Sequence, residues 1–496
     1  MNFGGISLDA YNNVGAGFGE EQLGNVELLN KALAATDSRG GAVEGLTTAS
    51  GAPLKVESLD STLRVVTFRQ NNIVLWKELP VLPAYNTVEE YNKQISYGSD
   101  TGGFVDEGEL PEENDAIYVR QSQLVKYLGT TRVVTHPMTL VNSAHGDVIT
   151  RQAEAGTLWI LQRLEPALFR ADTNINTREF KGFYTQQRED FATELDWLDS
   201  DNVVDCRGYT LSEVYAETAA NAIIENYGVP TDLYATPRVL SDFVKTFYSK
   251  ERVMLPAPGS GQSVGLKITE FVSTAGTINL KPDIFCRNYP TRTVGDGASS
   301  GKSPVAPVAD SSAPVAAVGA TVARSKFISG ADNGNYLYGV TAINKFGESA
   351  MTVLSQSVVA VVADGAADLK FTSGASTYAA TGYRIYRSLK GATYSASTKF
   401  YPIFDISAGQ LSAGYNGGAT GVVRDLNRYL PNTTKAFMPQ RDVEVLSFKQ
   451  LAPLMKMDLA VIGPAYRFMV LLYGTPMLYA PRKMVTLINV GQTFAT

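Results

Sequence analysis

The run AIYVRQSQLVKYLGTTRVV, residues 116–134, decides how this chain is read. Its β-branched and aromatic side chains predict a single strand. At roughly 3.3 Å per residue it would span up to about 60 Å, whereas ordinary strands have about five or six residues. Ile117, Val119, Val125 and Tyr127 share one face at period 2, but Gln121 and Gln123 interrupt that face. Arg120, Ser122 and Lys126 interrupt the other. Neither face is apolar enough for a private core. A half-polar β-arm that projects beyond its own fold predicts a covering surface from another copy of the chain, so the first expectation is assembly rather than catalysis.

The preceding stretch, YGSDTGGFVDEGELPEEND, is acidic and rich in glycine. Asp106, Glu107, Glu109, Glu112, Glu113 and Asp115 crowd together there. Paired carboxylates serve glycoside hydrolysis or calcium binding, but this cluster lacks EF-hand order and lies on a polar arm rather than in a pocket. Solvation or ion pairing between subunits is the expected role, with Arg120 and Lys126 as further candidate intersubunit contacts. Lys93 and Lys126 are candidates to pair with acids of a neighbour, with ordinary surface lysines as the alternative and crosslinking the least favoured reading. Gly102, Gly103 and Gly129 are places where the arm can bend.

Residues 1–60 are rich in Gly, Ala, Ser and Asn and read as an extended arm with one short helix at EEQLGNVELLNKAL. STLRVVTFRQNNIVLWKELPVLP then reads as a helix or strand pair entering the main fold. Beyond the β-arm, Ile149, Ala153, Ile160, Leu164 and Leu168 recur at helical spacing. They predict a helix over residues 144–169, about 39 Å long, which Pro166 kinks or ends. A second helix, LSEVYAETAANAIIENYG, stops at Gly228 ahead of Pro230. DLYATPRVL reads as a strand and SDFVKTFYS as a helix with Ser241 at its N-cap.

At about residue 294 the composition shifts to GDGASSGKSPVAPVADSSAPVAAVGA, which reads as a linker. YLYGVTAIN, MTVLSQSVVAVV, DLKFTS, GYRIYRS and KFYPIFDI follow as strands separated by turn residues, a spacing that suits a β-sandwich of about 100 residues. The C-terminal tract AYRFMVLLYGTPMLYA is strongly apolar but too short for its own domain. It is expected to complete the domain begun before the linker, which makes the sandwich an insertion at an exposed loop.

A chain of 496 residues holds two to four domains, and a formal net charge of −6 argues against wrapping nucleic acid with a basic face. The two cysteines, Cys206 and Cys286, match no metal or redox spacing and are expected as buried thiols. His136 and His145, the only histidines, suit neither a helical zinc pair nor a catalytic triad. GDGASSGKS fails the phosphate-loop spacing, and Gly259 to Gly265 lack the dinucleotide-binding pattern. No cofactor, metal or catalytic set is expected. The start MNFGGISLDAYNN lacks a basic segment and an apolar core, and no run of about 18 apolar residues occurs, so neither a signal peptide nor a membrane span is expected.

The order of these parts resembles the major capsid protein of tailed bacteriophages, with the Hong Kong 97-type fold. EEYNKQISYGSDTGGFVDEGELPEENDAIYVRQSQLVKYLGTTRVV is similar to its E-loop, and residues 148–172 to its spine helix. SFKQLAPLMKMDLA resembles its closing axial helix, and AYRFMVLLYGTPMLYAPRKMVTLINVG its peripheral strands. The resemblance implies an α+β fold with an N-terminal arm (1–60), a first peripheral part (61–89), an E-loop (90–136), a spine helix (137–180), and an axial domain (181–296). A linker and inserted all-β sandwich (297–434), an axial return (435–463) and peripheral strands (464–496) follow. YLYGVTAINKFGESAMT, GYRIYRS and VVRDLN make the insertion similar to immunoglobulin-like or fibronectin type III-like domains.

The resemblance further implies hexamers and pentamers closing into an icosahedral head around double-stranded DNA, which is held without sequence-specific binding, with the sandwich displayed outside. It places the protein in the virion after assembly in the host cytoplasm, with no membrane partner and with a portal. Because no heptad-patterned N-terminal segment is present, a separate scaffolding protein is expected. The rival readings are an encapsulin-like nanocompartment and, in a different class, a modular extracellular hydrolase or adhesin.

Overall fold

The computed structural model describes residues 67–99, 103–110, 113–141, 143, 146–247, 268–274, 276–311, 313–319, 321–375, 377–461 and 463–492. The elements below belong to one compact unit, residues 65–141 and 147–496. The expected arm at 1–60 with its short helix, Gly102, Glu112, His145 and the loop from Gly259 to Gly265 lie outside the described residues.

The chain enters through a 3-10 turn at Gln70–Asn72 and a single helical turn, α1 (Leu75–Glu78), followed by β1 (Val81–Pro83). The run at 116–134 is two strands rather than one. β2 (Val88–Ser96) and β3 (Ile117–Leu124) form an antiparallel hairpin, and β4 (Lys126–Thr135) turns into a different sheet. The break falls at Val125 and not at Gly129. Val125 is buried, and its N–H bonds the carbonyl of Thr87 at the root of the hairpin. Gly129 lies inside β4 because a Cβ there would stand 2.4 Å from Leu471 Cδ2 and 3.1 Å from the Val470 carbonyl oxygen.

After the short α2 (His136–Leu140) comes α3 (Val148–Arg170), of 23 residues and so about 35 Å long. Its N-cap is Asp147, which accepts from the backbone of Ile149 at 3.3 Å and Thr150 at 3.0 Å. That cap moves the helix start past the expected residue 144. Ile160, Leu164 and Leu168 are buried as their spacing predicts. Gly156 lets the helix lie close over the sheet, since a Cβ would meet Val470 at 3.1 Å and Thr130 at 3.5 Å. Pro166 does not end the helix. The last turn beyond it buries Leu168 and Phe169 and closes with Ala171 N–H bonded to the Ala167 carbonyl at 3.0 Å.

The mixed region follows with α4 (Phe183–Glu189), α5 (Glu194–Leu198), β5 (Val203–Asp205), α6 (Glu213–Glu225), β6 (Asp232–Ala235) and α7 (Pro237–Phe247). The expected strand at DLYATPRVL is only its first half. Pro237 opens α7, so Ser241 sits within that helix and is not its cap. β7 (Glu270–Ser273) and β8 (Gly276–Pro282) complete this part.

Residues 292–425 are largely antiparallel strands. Tyr338–Asn344, Gly382–Arg387 and Lys399–Ser407 pair in order, and Val315–Val318, Ala366–Thr372 and Val422–Asp425 form a second group. One short helix, Ala408–Ala413, interrupts them. The Gly-Pro-Ser-Ala tract is not a free linker. Short strands at Val308–Ala309 and Val315–Val318 flank Ala366–Thr372, Ser303 is buried, and the Ser299 hydroxyl bonds the Glu348 backbone. Its small side chains serve close packing as well as they would serve flexibility.

The chain closes with β9 (Thr433–Pro439), β10 (Leu446–Asp458), β11 (Ala465–Leu478) and β12 (Met484–Gly491). The expected helix at SFKQLAPLMKMDLA is the strand β10, which pairs with β1 in parallel and with β11 in antiparallel. Two sheets result, one ordered β1-β10-β11-β4 and the other β5-β12-β9-β6-β8-β7. Thus β10 joins the sheet of β4 and β11, whereas β12 leaves it for the other sheet. The resemblance implies a helix here, and pairing on both sides holds the segment extended instead. β12 is buried along all of its length, as a strand flanked on both sides requires.

Candidate assembly interface

The hairpin β2–β3 forms a two-stranded sheet with no third strand among the described residues. Its nine-residue strand β2 reaches about 30 Å at roughly 3.4 Å per residue. The root is moored to the body. The Tyr91 hydroxyl donates to the Leu478 carbonyl at 3.1 Å, its ring packs edge-on against Tyr479, and Lys93 makes an ion pair with Asp190. Burial, with the Asp190 charge adding to it, pushes the Tyr91 phenol up to about 12, so it remains a donor at any working pH.

Beyond the root the hairpin has little of its own to pack against. Phe104 is fully exposed, and Leu110 and Tyr97 are about nine-tenths exposed, at 91% and 90%. Ile95, Ile117 and Tyr118 are more than half exposed on the strands below. A row of large apolar side chains held in water on a thin ribbon marks a surface that is completed by another molecule.

The residues picked out as intersubunit contacts divide into three groups. Asp106, Glu107, Glu109, Glu113 and Asp115 are exposed at the far end, and among the described residues no cation lies within ion-pair distance of them. Arg120 reaches across the hairpin to Glu90 at 3.4 Å and to Asn92 at 3.3 Å, a solvent-exposed pair worth at most about 1 kcal/mol. Lys126 sits lower, donating to the Thr177 carbonyl at 2.6 Å. Lys93 and Lys126 therefore have partners within their own chain.

Sequence reasoning passed over the group that anchors the helix beneath the arm. Glu165 is fully buried on α3, and its carboxylate accepts from the backbone N–H groups of Val74 at 2.8 Å, Leu75 at 2.7 Å and Trp76 at 3.2 Å. It caps α1 from outside, supplying the acceptor that the start of a helix needs. The signal was present: a charged residue on the stripe of Leu161, Leu168 and Phe169 has to find a partner in the core.

Among the described residues no group of three or more His, Cys, Asp or Glu side chains could hold a metal, and no helix is long and apolar enough to cross a membrane. Cys206 and Cys286 are buried and unbridged, and burial holds both thiols well above their usual range, Cys206 at about 12. At 295–303 the chain makes a turn in which Asp296 accepts from Thr293 N–H at 2.7 Å, with no helix behind it to hold a phosphate.

A projecting hairpin, a long helix lying across a β sheet and a separate mixed sheet closed by the C-terminal strands define an α+β shell subunit of the Hong Kong 97 type. No family model matches the chain. It is 25% identical over 441 residues to the major capsid protein of Staphylococcus phage S25-3, covering 88% of this chain and 90% of that one. The match to the major capsid protein of Staphylococcus phage K has the same identity and coverage. The capsid of an empty GTA particle superposes over 90% of this chain and 99% of that one, with TM-score 0.42 and 10% identity. With relatives aligned over nearly its whole length, the chain is a major capsid protein of the tailed-phage class.

Proposed function

We propose that copies of this chain associate through the β2–β3 hairpin into hexamers and pentamers that close as an icosahedral head around double-stranded DNA. The observation that carries this reading is the hairpin itself, an unpaired ribbon with exposed Phe104, Leu110 and Tyr97 at its far end. Laid across a neighbouring subunit, it would bury that apolar surface and bring Asp106, Glu107, Glu109, Glu113 and Asp115 against the neighbour's cations. The net charge of −6 suits a container that does not grip packaged phosphates. The strands of residues 297–434 form a module displayed on the outer face, where stabilisation or decoration is its role. A separate scaffolding protein and a portal complete the assembly in the host cytoplasm, and the virion is the final location.

Electron microscopy of the protein produced with its scaffold tests this. Closed shells are expected, with nucleic acid inside particles purified from the host, and removal of residues 99–115 is expected to leave a folded subunit that makes no shells. Unimpaired shells from the shortened chain would overturn the role given to the arm, and enclosed enzyme in place of nucleic acid would favour a nanocompartment.

A further inference from the structure

Where the C-terminal end of α3 meets the strand Lys399–Ser407 and β9, there is a partly enclosed cavity of about 70 Å³. A single water needs only about 10 to 15 Å³, so the space admits several waters or one small oxyanion. Its carboxylates are already engaged. Asp172 accepts from Arg188 at 2.6 Å, and Asp405 takes both arms of Arg384 at 2.7 and 2.9 Å. Glu194 accepts the hydroxyls of Tyr415 and Tyr429, each at 2.7 Å.

Two cations on the same cavity are not matched in this way. Arg170 makes one long bond, 3.4 Å to the Phe285 carbonyl, and its Nε is buried without a partner. Lys435 points its ammonium between aromatic rings, 3.8 Å from the centre of Tyr184 and 5.1 Å from that of Tyr429. It has no hydrogen-bond acceptor among the described residues. A cation that keeps only ring faces for company lacks the acceptor that a buried charge requires.

We propose that this cavity binds one small tetrahedral oxyanion, of the sulfate or phosphate class, between Lys435 and Arg170. The anion supplies the missing acceptor for both groups. It also ties β9 to the C-terminal end of α3, because Lys435 belongs to β9 and Arg170 to α3. Burial lowers the Lys435 amine to about 7, with Arg170 and Arg188 acting in the same direction against Glu194 and Asp405. Binding is therefore coupled to proton uptake and weakens as pH rises through neutrality.

The test is calorimetric titration of the intact assembled protein with sulfate, whose charge is constant over the range, at fixed ionic strength balanced by a bulky organic anion. One saturable site per subunit is expected, with affinity falling about twenty-fold between pH 6.5 and pH 8.5. K435M should abolish the binding, and K435R should retain it without the pH dependence. Absence of saturable binding at pH 6.5, leaving a cavity filled by water alone, would overturn the proposal. So would affinity independent of pH in the unmodified protein, which decides the matter even if K435M does not fold.

Discussion

Glu165 and Asp283 lie together in the interior as two fully buried carboxyl groups, each raising the cost of charge on the other. The backbone N–H groups of Val74, Leu75 and Trp76 occupy the Glu165 carboxylate, and the Phe285 N–H bonds Asp283 Oδ1 at 2.8 Å. Asp283 Oδ2 receives no donor. A proton held by the pair removes the repulsion between two buried carboxylates. Burial first, and then the Glu165 charge, push Asp283 up to about 7. One proton therefore ties together the entry segment, the spine helix and the turn after β8.

The sign of the pH effect follows. Between the ordinary carboxyl range and about pH 7, the folded chain binds this proton and the unfolded chain does not. Stability from this locus is thus greatest in acid and is lost as pH rises toward neutrality. Asp283→Asn keeps a donor toward Glu165 without a titrating group, so its advantage over the unmodified protein should grow between pH 5 and pH 8. The growth over that window is at most about 3 kcal/mol, because only the roughly two pH units from 5 to about 7 contribute, at about 1.36 kcal/mol each. Denaturant melts at the two pH values check it, and a constant difference would refute the shared proton.

The mooring of the arm is separable from its tip. Tyr91→Phe removes one bond to the Leu478 carbonyl and should cost about 1 kcal/mol locally. Lys93→Met leaves Asp190 without its partner in the arm. Hydrogen exchange along β2 should quicken in both variants, while α3 is unchanged. If β2 exchanged no faster, the hairpin would be held by its strand pairing alone.

Close approach within the sheet makes Gly474 intolerant. A Cβ there would lie 2.6 Å from the Lys449 carbonyl oxygen and 2.3 Å from the Phe448 ring. Gly474→Ala should destabilise the subunit by about 1 to 3 kcal/mol as β10 and β11 are forced apart. At Gly103 nothing lies within 4 Å, but φ is +90°, so Gly103→Ala costs about 1 kcal/mol or less of backbone strain in the free arm. Chemical denaturation of the two variants should separate them clearly.

How much of this was legible depended on whether a residue's partner was local. The stripe of Ile160, Leu164 and Leu168 announced α3, and the half-polar run around Gln121 and Gln123 announced a projecting arm, because each pattern repeats within one element. Val125 gave no warning of the break between β3 and β4, which is set by the Thr87 carbonyl. The helix expected at SFKQLAPLMKMDLA came from the family resemblance alone, and pairing with β1 and β11 makes the segment a strand. Lys126 looked like a contact for a neighbour because the Thr177 carbonyl lies far away in the chain. The cation pair at Lys435 and Arg170 was invisible for the same reason.

The all-β segment is locked by a second buried charge system, and its loss should be severe. Arg387 and Asp425 are paired at 2.7 Å with side chains 1% exposed. Arg387 also bonds Asn427 Oδ1 at 2.7 Å, and Asp425 accepts from the Tyr338 hydroxyl at 3.0 Å and the Asn427 N–H at 2.9 Å. Arg387→Met strands a buried carboxylate and should cost about 3 to 5 kcal/mol. Adding Asp425→Asn removes that stranded charge, so the double variant should recover part of the loss. A double-mutant cycle in denaturant measures the recovery. Strict additivity of the two losses would mean that the pair is not coupled, and that the segment owes its order to the packing of Phe327, Tyr336 and Tyr338 alone.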